Sequence, residues 1–321
     1  MRAAAIQLEP VIADVAANLD ACERLADAAA EAGADCIVLP EFFSTGIAFR
    51  EELADAALAP DGAATQLLCE LAARHGATVG GSFLCRDRDG HVRNAFFLAG
   101  PDGRVLGRHD KDLPTMWENA FYVEGEDDGV IDAGDSTLGA AVCWEFMRSQ
   151  TARRLRGRVD LVLGGSGWWS VPAWPPRPVT RRLEAANART AALVAERFAR
   201  LVGAPVIHAA QAGELECPLP WTPFTYRGRF EGGAVIVDAR GRVLARRDRR
   251  EGEGFALADL APGRAPPLDE VPDRFWLHRR GAVGSLLWNY QRAHGRRWYT
   301  RHAAGRPPLE LERVARVTGA V

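Results

Sequence analysis

The run Cys36-Ile37-Val38-Leu39 has no polar break, and it ends in Pro40-Glu41. A strand that is apolar on both sides has to be covered on both faces, which is the condition of a buried, largely parallel sheet. Residues 2–8, 78–85, 137–142, 159–163 and 206–210 read as further apolar strands. Between them lie stretches of helical period: Leu19, Cys22, Leu25, Ala26 and Ala29 share one face, and Leu67, Leu68 and Leu71 another. A short helix over 149–156 and a long one over 182–201 continue the alternation. Gly33 closes the first helix, as a C-terminal glycine does. Residues 92–98 and 104–109 form a hairpin about Pro101-Asp102-Gly103, and 233–237 with 242–246 form a second one. Both halves thus contain strand–helix units followed by a hairpin. The class is α/β, and 321 residues with 47% apolar side chains can bury a sizeable core.

The formal net charge is −2, so no global field favours nucleic acid or an anionic membrane. The six cysteines form no CxxC pair, which argues against a zinc or thioredoxin-like site. Most fall inside apolar patterns, as reduced core thiols of a cytoplasmic protein do. The N-terminus reads as a strand rather than a signal sequence, and no apolar run reaches eighteen residues. The seven histidines hold no HExxH-type pair, so no metal is expected, and no organic cofactor.

Three chemically capable residues follow strands. Glu41 follows 37–39, Lys111 follows 104–109, and Cys143 follows 137–142. In open α/β sheets the carboxyl ends of strands are where ligands bind. Singly each has a plain structural explanation: a surface acid, a surface lysine, a buried thiol. Together they supply a base, an electrophilic cation and a nucleophile, the inventory for covalent attack on a carbonyl or nitrile carbon.

Several segments in this order resemble the nitrilase superfamily of carbon-nitrogen hydrolases. Ile37-Val38-Leu39-Pro40-Glu41-Phe42 with Thr45-Gly46 is similar to its glutamate motif, Lys111-Asp112-Leu113-Pro114 with Glu118 and Gly125 to its lysine motif, and Cys143-Trp144-Glu145 to its cysteine motif. Phe230-Glu231-Gly232-Gly233 and Asp238-Ala239-Arg240-Gly241 resemble its late hairpin. The resemblance spans about residues 2–260. It implies a four-layer α-β-β-α sandwich and a hydrolase domain over 1–261; from Pro262 the composition changes, and 262–321 reads as a C-terminal extension, matching no family motif, that packs on the body or on a partner subunit.

The resemblance also implies the roles. Cys143 is the nucleophile, Glu41 the general base and acid, and Lys111, with the backbone N–H of Trp144, the oxyanion donor. Glu118 orients Lys111 or the attacking water. Trp117, Trp144, Ser166, Trp168 and Trp169 are candidate pocket residues, with Trp174 as a further member of an aromatic wall. The substrate is a small-molecule amide or nitrile, and the assembly a homodimer or higher homo-oligomer. Amide cleavage is the expected branch: Cys-Trp-Glu and Pro114-Thr115 lean towards nitriles, Asn119 stands where nitrilases commonly carry arginine, and the broad prior for amide chemistry in the superfamily decides. Met147, with Arg148 next, stands where many amidases have that residue type. Acyl transfer and a non-catalytic thiol sensor are the alternatives. A sensor has no need of the base or the cation.

The tail interleaves Trp276, Trp288, Tyr290, Trp298 and Tyr299 with basic residues. Such mixtures can bind single-stranded nucleic acid. Without overall positive charge, a packing arm or amphipathic helix is the favoured reading.

Overall fold

A computed structural model describes residues 1–172, 175–278 and 282–311. The chain runs β1 (Arg2–Leu8), α1 (Val15–Glu31), β2 (Cys36–Val38), α2 (Ala63–His75), β3 (Thr78–Arg86), β4 (Val92–Ala99), β5 (Val105–Asp110), β6 (Val130–Asp132), β7 (Thr137–Val142) and α3 (Ser149–Leu155). It continues with β8 (Leu161–Ser166), α4 (Arg177–Val202), β9 (Val206–Gln211), β10 (Glu214–Pro218), β11 (Thr225–Arg229), β12 (Val235–Val237), β13 (Val243–Arg246), β14 (Gly254–Asp259) and α5 (Ala282–His302).

Twelve strands form one sheet in two halves. The first half is β5-β4-β3-β2-β1-β14, and the second is β6-β7-β8-β9-β12-β13. The two halves are joined where Gln7 and Leu8 of β1 pair with Ala210 and Gln211 of β9. The central strands β1, β2 and β3 are parallel, as are β7, β8 and β9, and the outer strands are antiparallel. The repeated strand–helix–hairpin order of the sequence is this arrangement.

Strand alternation decides what covers each face. Ala4, Ile6 and Leu8 of β1 pack with Leu19, Cys22 and Leu25 of α1 and with Leu67, Leu68 and Leu71 of α2. Ala3 and Ala5 turn the other way, joining Val38, Phe96 and Leu98 in a core shared with Ala140, Leu163 and Ile207 of the second half-sheet and Phe198 of α4. Burying each such leucine or phenylalanine is worth roughly 1.5–3 kcal/mol. The molecule is a mixed α/β protein, the class its sequence indicates.

Two details differ from the sequence reading. The long helix begins at Arg177, five residues before the expected start, because Pro178 sits in its first turn, where a missing N–H costs nothing. The stretch around Cys217, read as a loop, is the hairpin β10–β11. Leu215 and Cys217 point inward between exposed neighbours, a period of two that the prolines nearby obscured. None of the six cysteines is in a disulfide. Among the described residues no helix is long and apolar enough to cross a membrane.

Candidate active site

β2 delivers Glu41, β5 delivers Lys111, and β7 delivers Cys143, each just past the strand's end. A short 3-10 turn, Met116–Ala120, adds Glu118. All four are buried. Lys111 Nζ lies 2.7 Å from Glu41 Oε1 and 2.7 Å from Glu118 Oε2. The carboxylates of Glu41 and Glu118 and the Cys143 sulfur each present an atom within 4.8 Å of the others. The structure therefore brings together the base, cation, nucleophile and second acid that the sequence singled out.

The backbone is strained at three of these places. Phe42, which follows Glu41, has φ +53°, Met116, two residues before Glu118, has φ +50°, and Cys143 itself has φ +54°. For residues with a side chain the left-handed region costs of order 1–3 kcal/mol, and such strain gathers at functional sites. At Cys143 it turns the chain sharply from β7 into the 3-10 turn Cys143–Met147 and leaves the thiol at the sheet's end.

Glu41 is held from several sides. Asn94 Nδ2 donates to Oε1 at 2.9 Å, and the Gly167 backbone N–H donates to Oε2 at 2.8 Å. Gln211 Nε2 donates to the Glu41 carbonyl at 2.6 Å. The Gly164-Gly165-Ser166-Gly167 run now has a reason. A Cβ on Gly165 would sit 3.0 Å from Pro40 Cα, so only glycine lets β8 approach the glutamate segment. Glu118 Oε2 accepts from the Thr115 backbone N–H at 2.8 Å and from the Tyr122 phenol. The Tyr122 ring also lies beneath the Lys111 ammonium, 5.7 Å from Nζ.

Burial and charge set the protonation states. Burial works against the Lys111 ammonium, but Glu118 and Glu41 outweigh it and hold its pKa well above that of a free lysine. Burial, aided by Glu41, raises Glu118 to about 7 against the pull of Lys111 and Tyr122. Burial and then Glu41 push the Cys143 thiol well up, and Lys111 does not cancel them. Cys143 therefore rests as a neutral thiol.

A second polar cluster lies behind the first. Glu145 Oε2 accepts from the Val142 backbone N–H at 2.7 Å and lies 2.9 Å from His109 Nε2. Its Oε1 accepts from Arg154 at 2.8 Å and from the Asp112 backbone N–H at 3.1 Å. One carboxylate thus ties the residue before Cys143 to the residue after Lys111. Burial would raise Glu145, but His109 and Arg154 hold it at about 2.

The pocket candidates fall into two groups. Trp144 packs on Trp168 with ring centres 6.1 Å apart. Trp169 turns instead to stack on Trp117 at 4.4 Å, and Trp117 meets Tyr226 edge-on. Ser166 is buried at the end of β8, paired with Ala210. Trp174 lies outside the described residues. The sequence reading assigned no role to Asn94, Gln211, Tyr122 or His109. Asn94 had one signal, a polar side chain within the apolar pattern of β4, since a buried polar residue is the informative kind.

The fold and this site define a carbon-nitrogen hydrolase. Residues 2–267 match the family model for carbon-nitrogen hydrolases, and the chain belongs to that family within the nitrilase superfamily. It is 32% identical over 286 residues to a nitrilase of Pyrococcus abyssi, covering 86% of this chain and 96% of the relative. It is 24% identical over 235 residues to the 2-oxoglutaramate amidase of Bacillus subtilis, covering 71% and 79%. Among solved structures it resembles the carbon-nitrogen hydrolase of Helicobacter pylori G27 (TM-score 0.64, 18% identity, covering 81% of this chain and 88% of that one). It also resembles Nit3 of Saccharomyces cerevisiae (TM-score 0.62, 20% identity, covering 80% and 89%). The protein is a hydrolase acting on carbon–nitrogen bonds.

Proposed function

We propose that the chain converts a small nitrile to its carboxylic acid and ammonia through an acyl thioester on Cys143. The observation that carries the covalent mechanism is the buried Glu41–Lys111–Glu118 cluster within reach of the thiol. Cys143 passes its proton to Glu41 as sulfur adds to the nitrile carbon. Glu41 returns that proton to nitrogen, giving a thioimidate. Water adds with Glu41 as base, and ammonia departs with the returned proton. A second water then releases the acid and restores the thiol, so two waters are consumed for each ammonia. Lys111 and the Trp144 N–H face the charge that develops on the atom attached to the reacting carbon. Loss of one such donor typically costs about 3–4 kcal/mol of transition-state stabilisation.

The nitrile branch replaces the amide preference drawn from the sequence. That preference rested on a broad prior for amides, whereas the relative aligned over 96% of its length is a nitrilase. Cys143-Trp144-Glu145 points the same way. Amide cleavage is the second reading, favoured by the amidase among the relatives, and it uses the same residues without the thioimidate step. Paired kinetics on the nitrile and amide of one acyl group decide between them. A larger kcat/KM for the nitrile, with free acid as product, supports the first reading, and a larger value for the amide overturns it. Intact-mass trapping of an acyl adduct in the wild type, and its absence with Cys143→Ala, tests the shared thioester. The substrate is proposed to be a small molecule, and the assembly a homo-oligomer in the cytoplasm.

A further inference from the structure

Helix α5 and residues 268–278 lie beyond residue 267, where the family match ends. This extension touches the cysteine and lysine motif segments and the strand β4. Leu277 N–H donates to the Met147 carbonyl at 2.8 Å and Ser149 N–H to the Phe275 carbonyl at 3.0 Å, fastening the extension to the turn that follows Cys143. Trp288 stacks on Trp144 with ring centres 5.5 Å apart. The Tyr299 hydroxyl accepts from the Val92 backbone N–H at 2.9 Å, at the start of the strand whose Asn94 holds Glu41.

A tight approach falls at Asn119, the residue after Glu118. Gly295 packs on the 3-10 turn Met116–Ala120. A Cβ on Gly295 would lie 2.7 Å from Asn119 Cβ, 3.0 Å from the Asn119 carbonyl carbon and 3.1 Å from the Ala120 backbone nitrogen. Two of these are backbone atoms, so no side-chain rotation relieves the clash. A glycine inside a helix costs about 1 kcal/mol relative to alanine, and one retained there has a packing or functional reason. Here the reason is that the helix must reach the residue next to Glu118.

We propose that the C-terminal extension is a clasp that completes the catalytic site within the same chain, and that Gly295 is a positioning residue for Glu118. This rests on the catalytic reading above. The clasp sets the separation of Glu118 from Lys111 and Tyr122, and through it the direction of the Lys111 ammonium.

The test uses the full chain with Gly295→Ala and Gly295→Val, and Leu286→Ala on the exposed side of the same helix as a control. If α5 were only a surface element, Gly295→Ala would stabilise the helix and leave catalysis alone. The clasp instead predicts a fall in kcat of about tenfold for alanine and about a hundredfold for valine, the scale of a misplaced catalytic group. KM should change little, the acid limb of the pH profile should move, and circular dichroism should be unchanged. Leu286→Ala should match the wild type. If the valine variant fails to fold, the alanine variant decides. Wild-type kcat and an unmoved acid limb in Gly295→Ala, in an enzyme whose turnover needs Cys143, would overturn the clasp alone. Turnover by Cys143→Ala would overturn the catalytic reading, and the clasp with it.

Discussion

Two buried polar clusters sit back to back in this molecule, and their charge balance differs. In the first, Lys111 is, among the described residues, the one cation facing Glu41, Glu118 and the Cys143 thiol. In the second, Glu145 lies between His109 and Arg154, with Asp127 on the far side of His109 and Arg154 also near Asp112. The consequence appears in the carboxyls: Glu118 rises to about 7, whereas Glu145 is held at about 2. A carboxyl that can take or release a proton near neutrality suits catalysis, and one locked in its charged form suits scaffolding. The first cluster has the means to move protons, and the second holds the turns that carry it.

The comparison can be broken most forcefully at Lys111. Lys111→Met should abolish measurable turnover and lower stability by about 3–5 kcal/mol, the usual cost of orphaning a buried partner. Kinetics and denaturant unfolding check both. If the variant stays active, the first cluster is not the reacting one.

Glu145→Gln should strike stability first and catalysis second. It removes the charge facing His109 and Arg154, at a cost of about 3 kcal/mol. With the Val142 and Asp112 anchors weakened, kcat should fall while some activity survives. Full loss of activity with unchanged stability would mean that Glu145 belongs to the reacting cluster.

Tyr122→Phe sharpens the contrast without emptying a cavity. The phenol lowers the Glu118 pKa, so its loss raises it. On the proposed mechanism Glu118 works ionised against Lys111, so activity should be present above a midpoint near 7 and lost below it. The acid limb of kcat should therefore move to higher pH in the variant, and a fixed limb would show that Glu118 does not titrate there.

His109 gives a smaller, opposite effect. Burial disfavours its charge, yet Glu145 and Asp127 raise it from 6.5 to about 9. Below pH 6.5 the folded and unfolded states both hold the proton and the stabilisation is complete. It fades as pH rises through 9, because the unfolded chain releases the proton first. Melting temperature against pH should fall over that window in the wild type and flatten in His109→Gln. The lower bound is set by Arg158 and Asp128, an ion pair with both side chains about half exposed. Arg158→Ala should change stability by less than about 1 kcal/mol.

The strands, the helix faces and the motif residues Glu41, Lys111, Glu118 and Cys143 were legible in the chain. Hydrophobic period is a local property, and each motif residue follows a strand-like run or lies in the loop after one. The partners that make those residues a site were not legible. Asn94 is 53 residues from Glu41, Gln211 is 170 away, and His109 is 36 from Glu145. Hydrogen bonds across such separations leave no periodic trace. The tail shows the same limit: its aromatic and basic residues suggested a packing arm, but nothing local said which segments it would grip.

The sequence by itself determined which stretches are strands and helices, which faces are apolar, and which side chains can do chemistry, because each of these follows from residue type and spacing along a few turns of chain. Only the tertiary structure decided that one ammonium would be shared between two buried carboxylates, that Glu118 would titrate near neutrality, and that Gly295 would rest on Asn119. Those outcomes depend on distances of a few ångströms between residues far apart in the chain, and on the exclusion of water that only the closed fold provides.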